Sequence, residues 1–272
     1  NSRFITPDML NILLYFFVFF VIQVSSFFFV ESLWALFTGS REHTAELIII
    51  MTAVSHIVTI LIYTALKWTP FSLDFFRSKA GNITYWCILA ALGMLIPTMW
   101  LEELIPEAIR QDNMADTFKT VMQSPWGYLS IALLAPVAEE LVFRGAIQKT
   151  AVRYYEGKFG KTNRAHWVAI VISAALFAAI HGNPAQIPHA LLVGLLLGWL
   201  CYRSGSIIPG IIVHWVNNSA AFLLCHLYPR SYDMSIIEFF DNSMLRLAGA
   251  IVLSLMLFVP AIYQLNKIMK TK

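Results

Sequence analysis

The chain of 272 residues is 58% hydrophobic and 13% charged, with a formal charge of +3 and a mean hydropathy of +0.66. These values exclude an ordinary soluble domain, show no footprint for nucleic acid, and point to an all-α polytopic membrane protein. At ~20 apolar residues per crossing the length allows about eight transmembrane helices with short loops, so residues 1–272 are read as a single integral membrane domain.

Eight apolar runs follow one another, roughly 9–30, 47–66, 84–101, 127–149, 166–181, 187–203, 207–228 and 245–266. The first is too long for a signal-peptide core and lacks a small-residue cleavage site, so it is read as a retained span. Residues 31–46 and 67–83 are read as polar connections, and 150–165 as a basic one. The stretch 102–126, with Glu102, Glu103, Glu107, Asp112 and Asp116, has room for a short surface helix. With the N-terminus inside, 13 of the 19 lysines and arginines fall on inner segments, which places both termini in the cytoplasm. The short loops suit a bacterial cytoplasmic membrane. Cys87, Cys201 and Cys225 are widely spaced in apolar runs, which fits core thiols better than a disulfide framework or a CxxC site.

The fourth run carries the least expected residues, in Pro136-Val-Ala-Glu139-Glu140-Leu-Val-Phe-Arg144-Gly145. An ionisable side chain at bilayer depth costs ~2.5 to 3.5 kcal/mol on insertion scales, so two adjacent carboxylates there need a function or a partner. Glu140 and Arg144 stand four apart on one helix face with the acid first, the better order for an ion pair. Glu139 is rotated about 100° away and is left for side chains from other helices. Pro136 cannot donate a backbone hydrogen bond, which predicts a locally opened helix beside a wet cavity. Pro97, Pro188, Pro209 and Pro260 are read as ordinary kinks.

Further polar residues lie in later spans. His181 closes the fifth in Phe177-Ala-Ala-Ile-His181-Gly182, and His214 with Asn218 forms an i, i+4 pair on the seventh, while His56, His189 and His226 are read as hydrogen-bonded core residues. Peptide hydrolysis needs a base to deprotonate water and donors aimed at the oxyanion. Glu139 with His181 can supply the first, and His214 with Asn218 the second. His-Glu-x-x-His is absent, as are intramembrane aspartates and Gly-x-Ser-Gly. The ligand types of Glu139, Glu140, His181 and His214 nevertheless suit zinc.

Glu139-Glu140-x-x-x-Arg144, Phe177-x-x-x-His181 and His214-x-x-x-Asn218, in this order, resemble the motif set of the CAAX-protease and bacteriocin-processing (CPBP, or Abi) family. The resemblance covers about 125–218 and on to the end of the seventh span, so residues 125–228 are read as the catalytic core. It implies an eight-helix intramembrane glutamate protease with a conical or wet catalytic cavity and no required metal or other cofactor. Glu139 and His181 would activate water, His214 and Asn218 would form the oxyanion site, and Glu140 and Arg144 would support them. The implied substrate is a membrane-associated peptide or protein, lipidated or bacteriocin-like. A zinc-dependent hydrolase, a scaffold or immunity protein binding a partner through the same cavity, and a proton-coupled transporter are the alternatives.

Overall fold

The computed structural model describes residues 7–69, 80–106 and 115–269. Among them the fold is entirely helical: α1 Pro7–Thr38, α2 Ala45–Ala65, α3 Ala80–Glu103, α4 Ala115–Gln123, α5 over 125–159, α6 Asn163–Ala179, α7 Ile187–Ser204, α8 Ile208–Leu227, the short α9 Ile236–Phe239 and α10 Met244–Ile268. Six of these, α1, α2, α3, α7, α8 and α10, are long and apolar enough to cross a membrane, and α6 is a shorter apolar helix. Arg3, Arg77, Lys79, Glu107, Arg110, Asp112, Lys270 and Lys272, used above for orientation or for a surface helix, lie outside the described residues.

The boundaries differ from expectation in two places. Helix α1 does not stop near residue 30 but runs to Thr38, because Ser-Leu-Trp-Ala-Leu-Phe after Glu31 holds nothing that breaks a helix; Gly39, at φ +71°, follows it. The basic stretch after 149 is not a loop: α5 continues through it to Phe159, and Gly160, also at φ +71°, ends it. The short helix expected within 102–126 is present as α4.

Burial is graded across the bundle. In their most apolar windows α7 and α8 have 44% of residues buried, against 22% for α1 and 17% for α10. Phe17, Phe20, Phe28, Leu253, Met256 and Val259 point outward, the inverse of a soluble surface and what lipid contact requires. Two apolar clusters fill the interior. One joins α1, α2, α5 and α6 through Phe19, Tyr63, Phe143, Ile147 and Phe177. The other joins α3, α7, α8 and α10 through Cys87, Ala90, Leu197, Val213 and Leu265. The charged part of α5 lies at the seam between them.

Helices α3 and α10 pack backbone to backbone. A Cβ at Gly93 would stand 2.6 Å from the Phe258 amide nitrogen and 2.8 Å from the Ser254 carbonyl oxygen, whereas one at Gly81 would meet nothing within 4 Å. Gly93→Ala is therefore expected to force the two helices apart and cost about 1 to 3 kcal/mol, as overpacking does. Gly81→Ala in the same helix should be neutral. Thermal denaturation in detergent separates the two; equal midpoints would contradict the close approach.

Candidate active site

The site is built along α5. This helix keeps αR backbone angles throughout, yet contains two π segments, Tyr128–Leu134 and Leu141–Gln148, on either side of a short α stretch, Ala135–Glu140. In the first, the Ala135 N–H reaches back five residues to the Ser130 carbonyl. The next residue in that register is Pro136, which has no N–H, so the Ile131 carbonyl loses its backbone donor. The Asn218 side-chain amide of α8 supplies one at 3.0 Å. This is the locally opened helix expected from Pro136.

The second π segment receives side-chain contacts from three other parts of the chain. Thr69 Oγ1 donates to the Leu141 carbonyl at 2.6 Å, Ser173 Oγ to that of Phe143 at 2.8 Å, and the Cys201 thiol makes a weak contact with that of Arg144 at 4.0 Å. Gly145 leaves the room that Thr69 needs, since a Cβ there would stand 2.2 Å from the threonine methyl. The π segment keeps i→i+5 backbone bonds, and these side chains add further donors to its carbonyls that tie the wide turns to other parts of the chain.

Glu140 and Arg144 form the expected pair. Nη1 donates to Oε1 at 2.7 Å, and both side chains are fully buried. The guanidinium also donates to the Gly194 carbonyl at 3.2 Å and lies 4.4 Å over the Phe177 ring. One turn further on, the Gln148 amide donates to the Gly198 carbonyl at 2.9 Å. Thus Arg144 and Gln148, four apart on α5, face Gly194 and Gly198, four apart on α7. A Cβ at Gly198 would stand 2.8 Å from Gln148 Oε1, and one at Gly210 of α8 would stand 2.6 Å from Glu140 Oε2. Three glycines on two helices thus let polar side chains of α5 meet neighbouring backbone.

Glu139 points elsewhere. Its side chain keeps 14% of its exposure, and its Oε2 lies 3.7 Å from His214 Nε2. The other ring nitrogen of His214 lies 3.4 Å from Glu140 Oε1, so this buried histidine bridges the two carboxylates. His214 stands four residues after Gly210 and four before Asn218, which puts all three on the face of α8 turned to α5.

His181 lies just beyond the end of α6. Its Nδ1–H donates to the Phe177 carbonyl at 2.9 Å, which leaves Nε2 with its lone pair. Phe177 meets the His181 and His214 rings edge-on at 4.9 and 5.5 Å, so one aromatic side chain contacts both histidines and Arg144. His181 is within electrostatic reach of Glu139 and His214, as is His56 on α2. Among the described residues, however, the ion-pair neighbour of Glu139 is His214.

The structure thus gathers Glu139, Glu140, Arg144 and His214 directly, with His181 joined through Phe177 and Asn218 through the opened turn of α5. No group of three or more His, Cys, Asp or Glu among the described residues forms a metal-ligating set. Of the four residues whose types suit zinc, His214 turns its two nitrogens toward different carboxylates, the posture of a bridge. Sequence reading did not single out Thr69, Gln148, Ser173, Gly194, Gly198 or Gly210. The Gly194-x-x-x-Gly198 spacing was the one available signal, since small residues four apart mark close helix contacts in membranes. His189, read as an ordinary core residue, meets Glu102 and Asn217.

Residues 121–220 match the family model described as Type II CAAX prenyl endopeptidase Rce1-like. The chain therefore contains an Rce1-like CAAX protease domain over that part of its length, and the match supports a CAAX-type intramembrane peptidase activity. No curated protein and no solved structure matches the chain.

Breaking a buried ion pair by removing one partner typically costs about 3 to 5 kcal/mol. Arg144→Ala is expected to lose stability on that scale. Arg144→Lys should recover little of it, because an ammonium cannot serve Glu140, the Gly194 carbonyl and the Phe177 face from one position. Detergent-solubilised thermal unfolding is the measurement; a lysine variant as stable as the parent would refute this packing role.

Proposed function

We propose that the Rce1-like domain is an intramembrane endopeptidase that hydrolyses a peptide bond of a membrane-associated substrate, lipidated or bacteriocin-like, with water activated by Glu139. The observation that carries this reading is the inequality of the two adjacent carboxylates. Glu140 is held by Arg144 and sealed from solvent, whereas the ion-pair neighbour of Glu139 among the described residues is a histidine, His214 at 3.7 Å, and Glu139 keeps part of its exposure.

Glu139 Oε2 and His214 Nε2 at 3.7 Å are too far apart for a good direct hydrogen bond and suitably placed to share a water. In the proposed reaction Glu139 takes a proton from that water, and the hydroxide attacks the carbonyl of the scissile bond. Negative charge then develops on the carbonyl oxygen, where Asn218 N–H and the Nε2–H of His214, acting as an imidazolium between the two carboxylates, stabilise it. Collapse of the tetrahedral intermediate requires a proton for the leaving amine, which Glu139 returns. His181, with Nε2 free, helps to hold the water or shuttle that proton. Glu140 and Arg144 fix the frame.

We also propose that all eight apolar runs cross the bilayer, with both termini in the cytoplasm of a bacterial cell. Support comes from the six membrane-length helices, from the apolar part of α5, and from Lys149, Arg153, Lys158, Lys161 and Arg164, which cluster at one end of α5 and α6. No metal is assigned a step.

The test compares newly created peptide termini in membranes of cells carrying the parent protein or Glu139→Gln at matched expression. Termini present only with the parent are expected, and loss of a general base should lower their rate of appearance by about 10²- to 10⁴-fold. With purified protein, cleavage should survive complete chelation of divalent metal. Identical termini in both strains, together with a Glu139→Gln protein that keeps its cellular role, would replace the protease by a partner-binding scaffold. Cleavage abolished by chelation and restored by zinc would replace the metal-free mechanism.

A further inference from the structure

A second polar chain reaches Asn218 from the end of α3 and the first turn of α7. Helix α3 ends in Glu102 and Glu103. The Glu103 carboxylate is engaged by the Ile236 N–H at 2.6 Å, whereas Glu102 Oε1 lies 3.6 Å from Nδ1 of His189, in the first turn of α7. His189 Nε2 is 3.3 Å from Asn217 Nδ2, Asn217 Nδ2 is 3.4 Å from Asn218 Oδ1, and Asn218 Nδ2 donates to the Ile131 carbonyl at 3.0 Å. Asn217 is only 6% exposed.

The chemistry of these groups sets a direction along the chain. The Glu102–His189 separation is too long for a hydrogen bond, but the charge of the carboxylate favours the tautomer whose proton faces it, on Nδ1. In a neutral imidazole the other nitrogen is then an acceptor. His189 Nε2 must therefore be met by the NH₂ end of Asn217. The second hydrogen of that NH₂ faces the Asn218 oxygen, which leaves the Asn218 NH₂ toward α5. A reversed Asn218 would oppose its oxygen to the Ile131 carbonyl.

We propose that Glu102, His189 and Asn217 are positioning residues that fix the polarity of the Asn218 amide. This rests on the reading above, in which one Asn218 hydrogen stays on the Ile131 carbonyl and the other meets the oxyanion. The chain gives that amide a defined orientation before substrate arrives, and the instruction comes from α3, outside the segment matched by the family model.

The polarity can be measured without turnover. In ¹⁵N-histidine-labelled protein in bilayers, the His189 resonances, assigned by their loss in His189→Phe, should show a protonated Nδ1 and an unprotonated Nε2. That preference should disappear in Glu102→Leu. A protonated Nε2 in the parent protein would overturn the inference.

Kinetics with a peptide cleaved by the parent protein provide the second arm. Glu102→Leu and Asn217→Asp should lower kcat by about 10- to 100-fold, the usual effect of losing an outer orienting partner, with KM changed less than about twofold. Glu102→Gln, whose amide oxygen still turns a partial negative charge toward Nδ1–H, should restore most of kcat. In an Asn218→Ala background neither Glu102→Leu nor Asn217→Asp should lower kcat further, because both act through the group already removed. Losses confined to KM or to melting temperature, or losses that add in full to that of Asn218→Ala, would reduce the three residues to packing. A parent protein that cleaves nothing while His189 shows the expected tautomer would remove the protease reading and leave the hydrogen-bond polarity standing.

Discussion

The fold depends most on the Glu140–Arg144 ion pair, which is fully buried at 2.7 Å. Two charges withdrawn from water need compensation at close range, and among the described residues Glu140 Oε1, Arg144 Nη1 and Arg144 Nη2 receive it while Glu140 Oε2 and Arg144 Nε make no hydrogen bond. That requirement reaches into three neighbouring helices. It draws on the Gly194 carbonyl and demands bare backbone at Gly210, so α7 and α8 come close to α5. It also places the Phe177 face against the guanidinium. Once Gly210 is against Glu140, the next turn of α8 brings His214 to both carboxylates, and the turn after that brings Asn218 to the opened part of α5. The proposed catalytic arrangement thus follows from how one buried pair is packed.

The two π segments are the second constraint. Where Pro136 falls in the wide register the Ile131 carbonyl has no backbone donor, and lipid offers none. Asn218 supplies that donor, and Thr69, Ser173 and Cys201, each from a different part of the chain, add contacts to carbonyls of the second segment. The irregular stretch of α5 therefore binds the bundle together, and the apolar clusters on either side of it exclude solvent from the ion pair. Glu139 keeps partial exposure because α5 turns it away from that packing. One helix provides both the sealed carboxylate and the accessible one through a difference of a single residue.

Local features of the sequence were the legible ones. The four-residue interval from Glu140 to Arg144 identified the pair, because that spacing needs nothing but helical geometry. Pro136 announced the opened turn, because a missing N–H has a local consequence. The continuation of α1 to Thr38 and of α5 to Phe159 is not legible from polarity, because a helix can run past the apolar layer. Gly194, Gly198 and Gly210 acquire their meaning from side chains about 50 to 70 residues away in sequence, which periodicity does not reveal. His189 looked ordinary for the same reason: its partners, Glu102 and Asn217, lie on two other helices. The pairing of Glu139 with His181 followed from motif order. The structure puts His214 beside Glu139 and His181 one aromatic ring away, an arrangement that only the crossing of α6 and α8 decides.

The most direct measurement is a high-resolution experimental density map of the protein in a lipid bilayer, focused on the space between Glu139 Oε2 and His214 Nε2. The expected result is an ordered water within hydrogen-bonding distance of both atoms, with Glu140 still locked to Arg144. A direct Glu139–His214 contact that closes that space, or a metal ion bound by both carboxylates and His214, would contradict glutamate-activated hydrolysis.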